Sequence, residues 1–228
     1  MAKMTQIQPQ QLRLGLMGLI AVITLLVLGK IVVFPTQLDD LATPFEFPET
    51  VPLPGWEPRD TQPLENKTTD RRFLTGQAYQ YQQNQQVLDV QTWYMIRTNG
   101  DVHKFFQDHI ATLPTPQSKL AVNENPDAGF YGLGATEERA YLSSCINPNG
   151  GSTVTVNQFR NNRNTYDLKL SRILPWLLGP YELRDSRCIW TVLSLPLEGD
   201  QTAEDVYPTL KTAWFSWYQW WQPNFPPQ

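Results

Sequence analysis

Between Leu14 and Phe34 the chain is apolar at every position except Thr24 and Lys30, and this run limits what the rest of the molecule can be. Its 21 residues, wound as a helix at about 1.5 Å each, extend about 31 Å, the depth of a bilayer's hydrocarbon core. A helix packed on the surface of a soluble domain keeps a polar face, and this run has none. That leaves a membrane span or, as the lesser reading, a buried core helix. Lys30 lies about one turn from the far end, where its stem can carry the ammonium to the headgroups. Lys3 and Arg13 precede the run with no acidic residue among them, and Asp39, Asp40, Glu46 and Glu49 follow it. The positive-inside rule therefore predicts residues 1–13 in the cytoplasm, 14–34 in the membrane and the bulk of the chain outside. A cleaved signal peptide is the competing reading, but no small-x-small pair follows the run, which continues Val32-Val33-Phe34-Pro35. Either reading exports the domain.

All 22 acidic residues come after position 35, against 15 basic ones, so the exported part carries a net charge of −7. A mildly acidic surface with no basic stripe repels phosphate backbones and argues against a nucleic-acid partner. Residues 35–63 hold seven prolines, Pro35, Pro44, Pro48, Pro52, Pro54, Pro58 and Pro63. That spacing predicts an extended linker ahead of a domain over 64–228, with Trp56 docking the linker's end.

The pattern beyond it is mixed. Strands are predicted over 73–81 and 87–97, joined by a Gln-rich turn, followed by a short helix carrying Val102, Phe105, Phe106 and Ile110. Residues 114–136 read as an irregular loop. Residues 138–146 and 152–159 read as a hairpin across Asn147-Pro148-Asn149-Gly150-Gly151. A helix is predicted over 166–178, tolerating or bending at Pro175, then a strand over 187–195. Thr202 and Asp205 mark the start of a last helix reaching about Trp221. The sum is an α+β domain on an antiparallel sheet, behind an N-terminal transmembrane helix.

The two cysteines, Cys145 and Cys188, both fall in predicted strands. In an oxidising compartment they form a disulfide; buried free thiols or a catalytic nucleophile are the other readings. A nucleophile needs a base, and the histidines are His103 and His109, six apart and on opposing sides of a helix. That spacing, with no cysteine nearby, also gives no zinc pattern. There is no GxSxG, HExxH or P-loop, and Gly132-Leu133-Gly134 lacks the third glycine of a dinucleotide loop. Asn66-Lys67-Thr68 matches a glycosylation sequon. No catalytic residue, metal ligand or cofactor site is assigned, and an enzyme is not expected.

In the last helix Trp214, Trp217, Tyr218 and Trp221 recur at helical spacing, with Phe215 and Trp220 beside them. A core stripe explains most of them, whereas a partner surface or membrane interface would use Trp217, Trp220 and Trp221. Arg184, Asp185 and Arg187 form the other candidate interaction patch, read otherwise as ion pairs that fix a turn before a strand.

Five short segments carry a resemblance. They are Ser144-Cys145-Ile146-Asn147-Pro148, Ser152-Thr153-Val154-Thr155 with Gln158-Phe159-Arg160-Asn161-Asn162-Arg163, and Leu174-Pro175-Trp176-Leu177-Leu178-Gly179 followed by Leu183-Arg184-Asp185-Ser186-Arg187-Cys188-Ile189-Trp190. With the N-terminal anchor, they make the chain resemble the cyanoexosortase A system-associated proteins of cyanobacteria. The resemblance implies a non-catalytic accessory protein working with a membrane-embedded exosortase, which processes exported proteins alongside exopolysaccharide assembly. It supplies no catalytic residues to carry over. The C-terminus, Asn224-Phe225-Pro226-Pro227-Gln228, shows no sorting signal of the cargo type, so a helper is expected. The alternative is a membrane-tethered lipid- or glycan-binding protein that uses the Trp-rich helix.

Overall fold

A computed structural model of the protein describes residues 9–33, 45–65, 70–109, 120–179 and 182–227. Pro35, Pro44, Asp39, Asp40, the sequon at Asn66 and loop residues 114–119 lie outside the described residues. The chain forms two compact units: Met1–Leu41 with Leu168–Leu183, and Ala42–Asp167 with Arg184–Gln228.

The first unit is built from helices α1 (Pro9–Val33) and α4 (Leu170–Leu178). Within α1, Gln10–Val33 runs 24 residues and is long and apolar enough to cross a membrane. Its large apolar side chains point outward along the whole length, from Leu12 to Val33. Near its end, the Lys30 ammonium donates to the backbone carbonyls of Trp176 and, at 2.8 Å, Gly179, and lies 5.1 Å from the Trp176 ring centre.

The second unit is α+β, with a seven-stranded sheet in the order β1-β2-β3-β7-β6-β5-β4. The strands are β1 (Glu57–Leu64), β2 (Phe73–Gln83), β3 (Gln86–Met95), β4 (Ala121–Asn125), β5 (Gly129–Ala135), β6 (Arg139–Ile146) and β7 (Cys188–Pro196). Every neighbouring pair is antiparallel. Two three-stranded meanders are thus joined by β7, which enters last and fills the centre. Its position accounts for its composition, since Cys188 through Leu195 are all buried, and a strand covered on both faces needs apolar residues throughout.

Helices cover both faces. On one side α5 (Ala203–Asn224) lays Val206, Leu210, Trp214, Trp217 and Trp221 against Leu142, Ile146, Ile189 and Leu193. At its start the Asp205 carboxylate accepts both the backbone N–H and the hydroxyl of Thr202, at 2.9 and 2.8 Å. On the other side α2 (Val102–His109) and α3 (Val156–Tyr166) place Val102, Phe105, Phe106 and Phe159 over Phe73, Trp93 and Trp190. Edge-on aromatic contacts such as Phe105 with Trp190, 5.4 Å between ring centres, knit this layer.

The structure corrects four expectations. Residues 57–64 are not part of a free linker but form edge strand β1, where Pro58 and Pro63 are tolerated because one side needs no ladder. Upstream, Val51, Leu53 and Trp56 are buried, and the Tyr79 and Tyr81 hydroxyls donate to the carbonyls of Pro48 and Val51, each at 2.8 Å. The expected loop over 114–136 contains the hairpin β4–β5. Residues 152–159 do not form a hairpin strand: after one bridge between Cys145 and Thr153, Thr155 and Gln158 close a capping box that starts α3. The helix expected over 166–178 starts later, at Leu170, after α3 has ended at Tyr166.

Candidate functional site

Cys145 and Cys188 sit on adjacent strands β6 and β7 at disulfide-bonding distance, with Cα atoms 5.6 Å apart. Both are fully buried under α2 and α3 beside Trp190 and Val154. The pairing ties the sulfurs up in a structural link.

Arg187 and Asp185 do come together, and both serve the fold. The Arg187 guanidinium takes both Asp185 carboxylate oxygens, at 2.8 and 2.7 Å, in a fork-to-fork pair. Its remaining nitrogen donates to the Tyr94 hydroxyl at 3.1 Å and to the carbonyls of Pro226 and Pro227 at 2.9 and 2.7 Å. The same cation lies 5.4 Å from the Phe225 ring centre, so Arg187 straps the C-terminal tail to the end of β3. Burial alone pulls this guanidinium down, but the hydrogen bond and charge of Asp185, with Tyr94 beside it, hold it above its ordinary value. Asp185 is 3% exposed, and its backbone N–H donates to the Asp167 carboxylate at 2.8 Å. Asn149 holds the other Asp167 oxygen at 3.1 Å. Arg184 stands apart from the strap with its side chain exposed.

The indoles sort in the same way. Trp217 and Trp221 are fully buried, which removes them as a surface patch. Trp217 donates its ring N–H to the Thr191 hydroxyl at 3.3 Å, Trp214 to Ser144 at 2.8 Å and, from the opposite face, Trp190 to Ser143 at 2.9 Å. These pairs account for hydroxyls on fully buried strands, since an indole N–H taken from water favours an acceptor; the buried Trp221 ring N–H makes no such bond. Trp221 packs edge-on against Phe47 and Trp220, with ring centres 5.6 and 4.8 Å away. Trp220 is only partly buried and remains the accessible member of the stripe.

Among the described residues, no group of three or more His, Cys, Asp or Glu side chains could hold a metal ion. His103 faces Gln107 one turn on, at 3.3 Å. A second ion pair, Arg139 with Asp89, crosses the sheet and is completed by Gln80 and Ser194.

Sequence reasoning missed Tyr94, Asp167, Asn149 and the C-terminal carbonyls as partners of the strap, since strand pairing and tail docking bring them there. The helix over 166–178 was expected and its core is α4, but its exposed leucine stripe was not singled out. No protein-family model, curated protein or solved structure matches the chain.

Proposed function

We propose that this chain is a single-pass, membrane-anchored accessory protein without catalytic function. In this reading its N-terminus is cytoplasmic and its α+β body extracytoplasmic. One observation carries the proposal: a helix long and apolar enough to cross a membrane precedes a separate body whose cysteines are paired. Disulfides persist outside the reducing cytosol, and Lys3 and Arg13 lie on the side the positive-inside rule assigns to the cytoplasm. The partner class comes from the resemblance, which points to a polytopic exosortase and its exported cargo.

Supporting a non-catalytic role, the most polar clusters of the body are committed to internal contacts. Arg187 and Asp185 hold the tail, while Arg139 and Asp89 cross-link the sheet. The other reading, a lipid or glycan binder using the Trp-rich helix, is left with Trp220 and Phe215 as partly accessible rings. The accessory reading is preferred on that ground.

The test is affinity purification of the tagged full chain from gently solubilised membranes of its host, followed by mass spectrometry. Recovery of a polytopic exosortase supports the proposal. Well-folded bait that brings down only background proteins removes it.

A further inference from the structure

Among the described residues outside α1, helix α4 carries the most exposed large apolar side chains. Leu170, Ile173, Leu174, Leu177 and Leu178 fall at i, i+3, i+4, i+7 and i+8, one stripe of a short helix. Leu170 is 87% exposed, Leu174 61% and Leu178 65%, and no residue of the helix is buried. Arg172 lies across the helix from the stripe, and Ser171 sits on the stripe's flank. Four of the stripe's large aliphatic residues, all but the half-buried Leu177, face water on one face and mark a surface that something covers.

Three features name the cover. The first is depth. Lys30 lies in the last turn of α1, where a lysine on a membrane-length helix lifts its ammonium to the headgroups. That ammonium donates to the carbonyls of Trp176 and Gly179 at the C-terminal end of α4, where carbonyls lack helical partners and the helix dipole favours a cation. The end of α4 is therefore held at the level of the headgroup–acyl boundary. The second is Trp176, which shares that level with its ring 5.1 Å from the Lys30 ammonium; indoles concentrate at this boundary. The third is charge. From Leu168 to Gly179 the segment carries Lys169 and Arg172 and no acidic residue, complementary to anionic headgroups.

We propose that α4 is an interfacial helix that lies in the bilayer surface beside α1. Its leucine stripe sits among the upper acyl chains, and Lys169 and Arg172 face the headgroups. The proposal rests on α1 spanning the membrane. It gives the body a second membrane attachment, through the segment 168–183 that leaves it at Asp167 and returns at Arg184. A soluble partner would have no reason to meet this face at the depth set by Lys30.

The test uses the full chain reconstituted in phosphatidylcholine–phosphatidylglycerol vesicles containing nitroxide lipids. Cys145 and Cys188 are buried and paired, so a single added cysteine takes a polarity-sensitive fluorophore selectively. The label goes at Leu174→Cys on the stripe, Ser171→Cys on the polar flank and Leu25→Cys on α1. The expected result is that the Leu174 label loses most of its emission to nitroxides near the headgroups, whereas the Ser171 label keeps most of its own. The Leu25 label is quenched by deep nitroxides. A Leu174 label that stays bright and water-exposed while Leu25 is quenched overturns the α4 proposal and leaves the anchor standing. A blue-shifted Leu174 label that lipid nitroxides do not reach also overturns it, in favour of a protein partner or a second copy. Equal quenching at Leu174 and Ser171 overturns the surface orientation. If neither Leu174 nor Leu25 is quenched, both the proposal and the anchor fail. Leu170→Cys, at the most exposed position of the stripe, repeats the measurement should Leu174→Cys perturb the helix.

Discussion

The carboxylate of Asp167 accepts the backbone N–H of Asp185 at 2.8 Å, closing the base of a segment that leaves the α+β body and returns to it. Eighteen residues apart in sequence, the two are both nearly inaccessible to solvent, at 2% and 3% exposure. A body that lends a helix to another unit has to fix the two points where the chain departs and re-enters. Asp167 fixes the first through Asn149, and Arg187 fixes the second through Asp185.

Removing that clamp should be felt locally and globally. Asp167→Ala leaves the Asp185 N–H and the Asn149 amide without their acceptor, and a buried donor so stranded costs about 1–3 kcal/mol. We expect the denaturant midpoint of the detergent-solubilised chain to fall accordingly. Limited proteolysis between Asp167 and Asp185 should accelerate. Unchanged cleavage in this segment would show that the ends are held by other contacts.

Tyr79 and Tyr81 tether residues 45–53, and the tether is pH-sensitive. Burial raises both phenols above the ordinary 10.0; Tyr81 is pushed up to about 12, and Tyr79 further, with the charge of Tyr81 adding to the effect of burial. A phenol whose folded pKa is raised contributes stability that is complete below the unfolded value and is lost as pH climbs through the folded one. The contribution of Tyr81 therefore fades between pH 10 and about 12. Phenolate absorbance and tryptophan fluorescence should report late ionisation in step with unfolding. The double variant Tyr79→Phe, Tyr81→Phe should flatten this alkaline dependence and lose about 1 kcal/mol per hydrogen bond at neutral pH.

The disulfide closes a loop with a sequence separation of 43. Chain-entropy arguments give about 4 kcal/mol for a loop of that length, before any native-state adjustment. Cys145→Ala with Cys188→Ala should lower unfolding stability by about that much. Since both sulfurs are fully buried, reductant should act on the wild type only through unfolding, so that reduction speeds up steeply with denaturant. Rapid reduction of the native protein would contradict the burial.

Much of this fold was legible where local chemistry and tertiary need agree. Strands β2, β3 and β7 announce themselves through β-prone residues, and Thr202 with Asp205 marks the start of α5. The failures have a common cause, which is that tertiary position overrides local preference. Pro58 and Pro63 argue against a strand anywhere except at a sheet edge, and that is where β1 lies. Gly129, Gly132 and Gly134 depress the β signal of β5, yet a Cβ at Gly132 would come within 2.9 Å of Leu120. Thr153-Val154-Thr155 reads as strand until the reciprocal bonds of Thr155 and Gln158 start a helix. Of the candidate site, Arg187 with Asp185 was readable as an ion pair. The contact of Lys30 with Gly179 spans 149 residues, and no local pattern records it.

Gly129 supplies a sharper test of the β4–β5 hairpin. Its φ is +92°, and a Cβ there would lie 2.6 Å from both the backbone N and O of Ser152. Backbone cannot swing aside as a side chain can. Gly129→Ala should therefore destabilise by about 3 kcal/mol or more, combining left-handed strain with a clash. Thermal unfolding reads this directly, and a near-neutral change would mean that the hairpin is arranged differently.

Trp217 and Trp220 separate stability from recognition on a single helix. Trp217 is fully buried, bonded to Thr191, with its ring centre 5.3 Å from that of Tyr79. Trp217→Ala should cost about 3–5 kcal/mol, the range for an aromatic deleted from a packed core. Trp220 contributes mainly its edge-on contact with Trp221, so Trp220→Ala should cost about 1 kcal/mol. Its ring is also the member of the stripe that a partner can reach. If the α5 surface meets the exosortase or its cargo, Trp220→Ala will keep the fold, judged by its unfolding midpoint, and lose co-purification. Retained co-purification with an intact fold would move the contact off this helix.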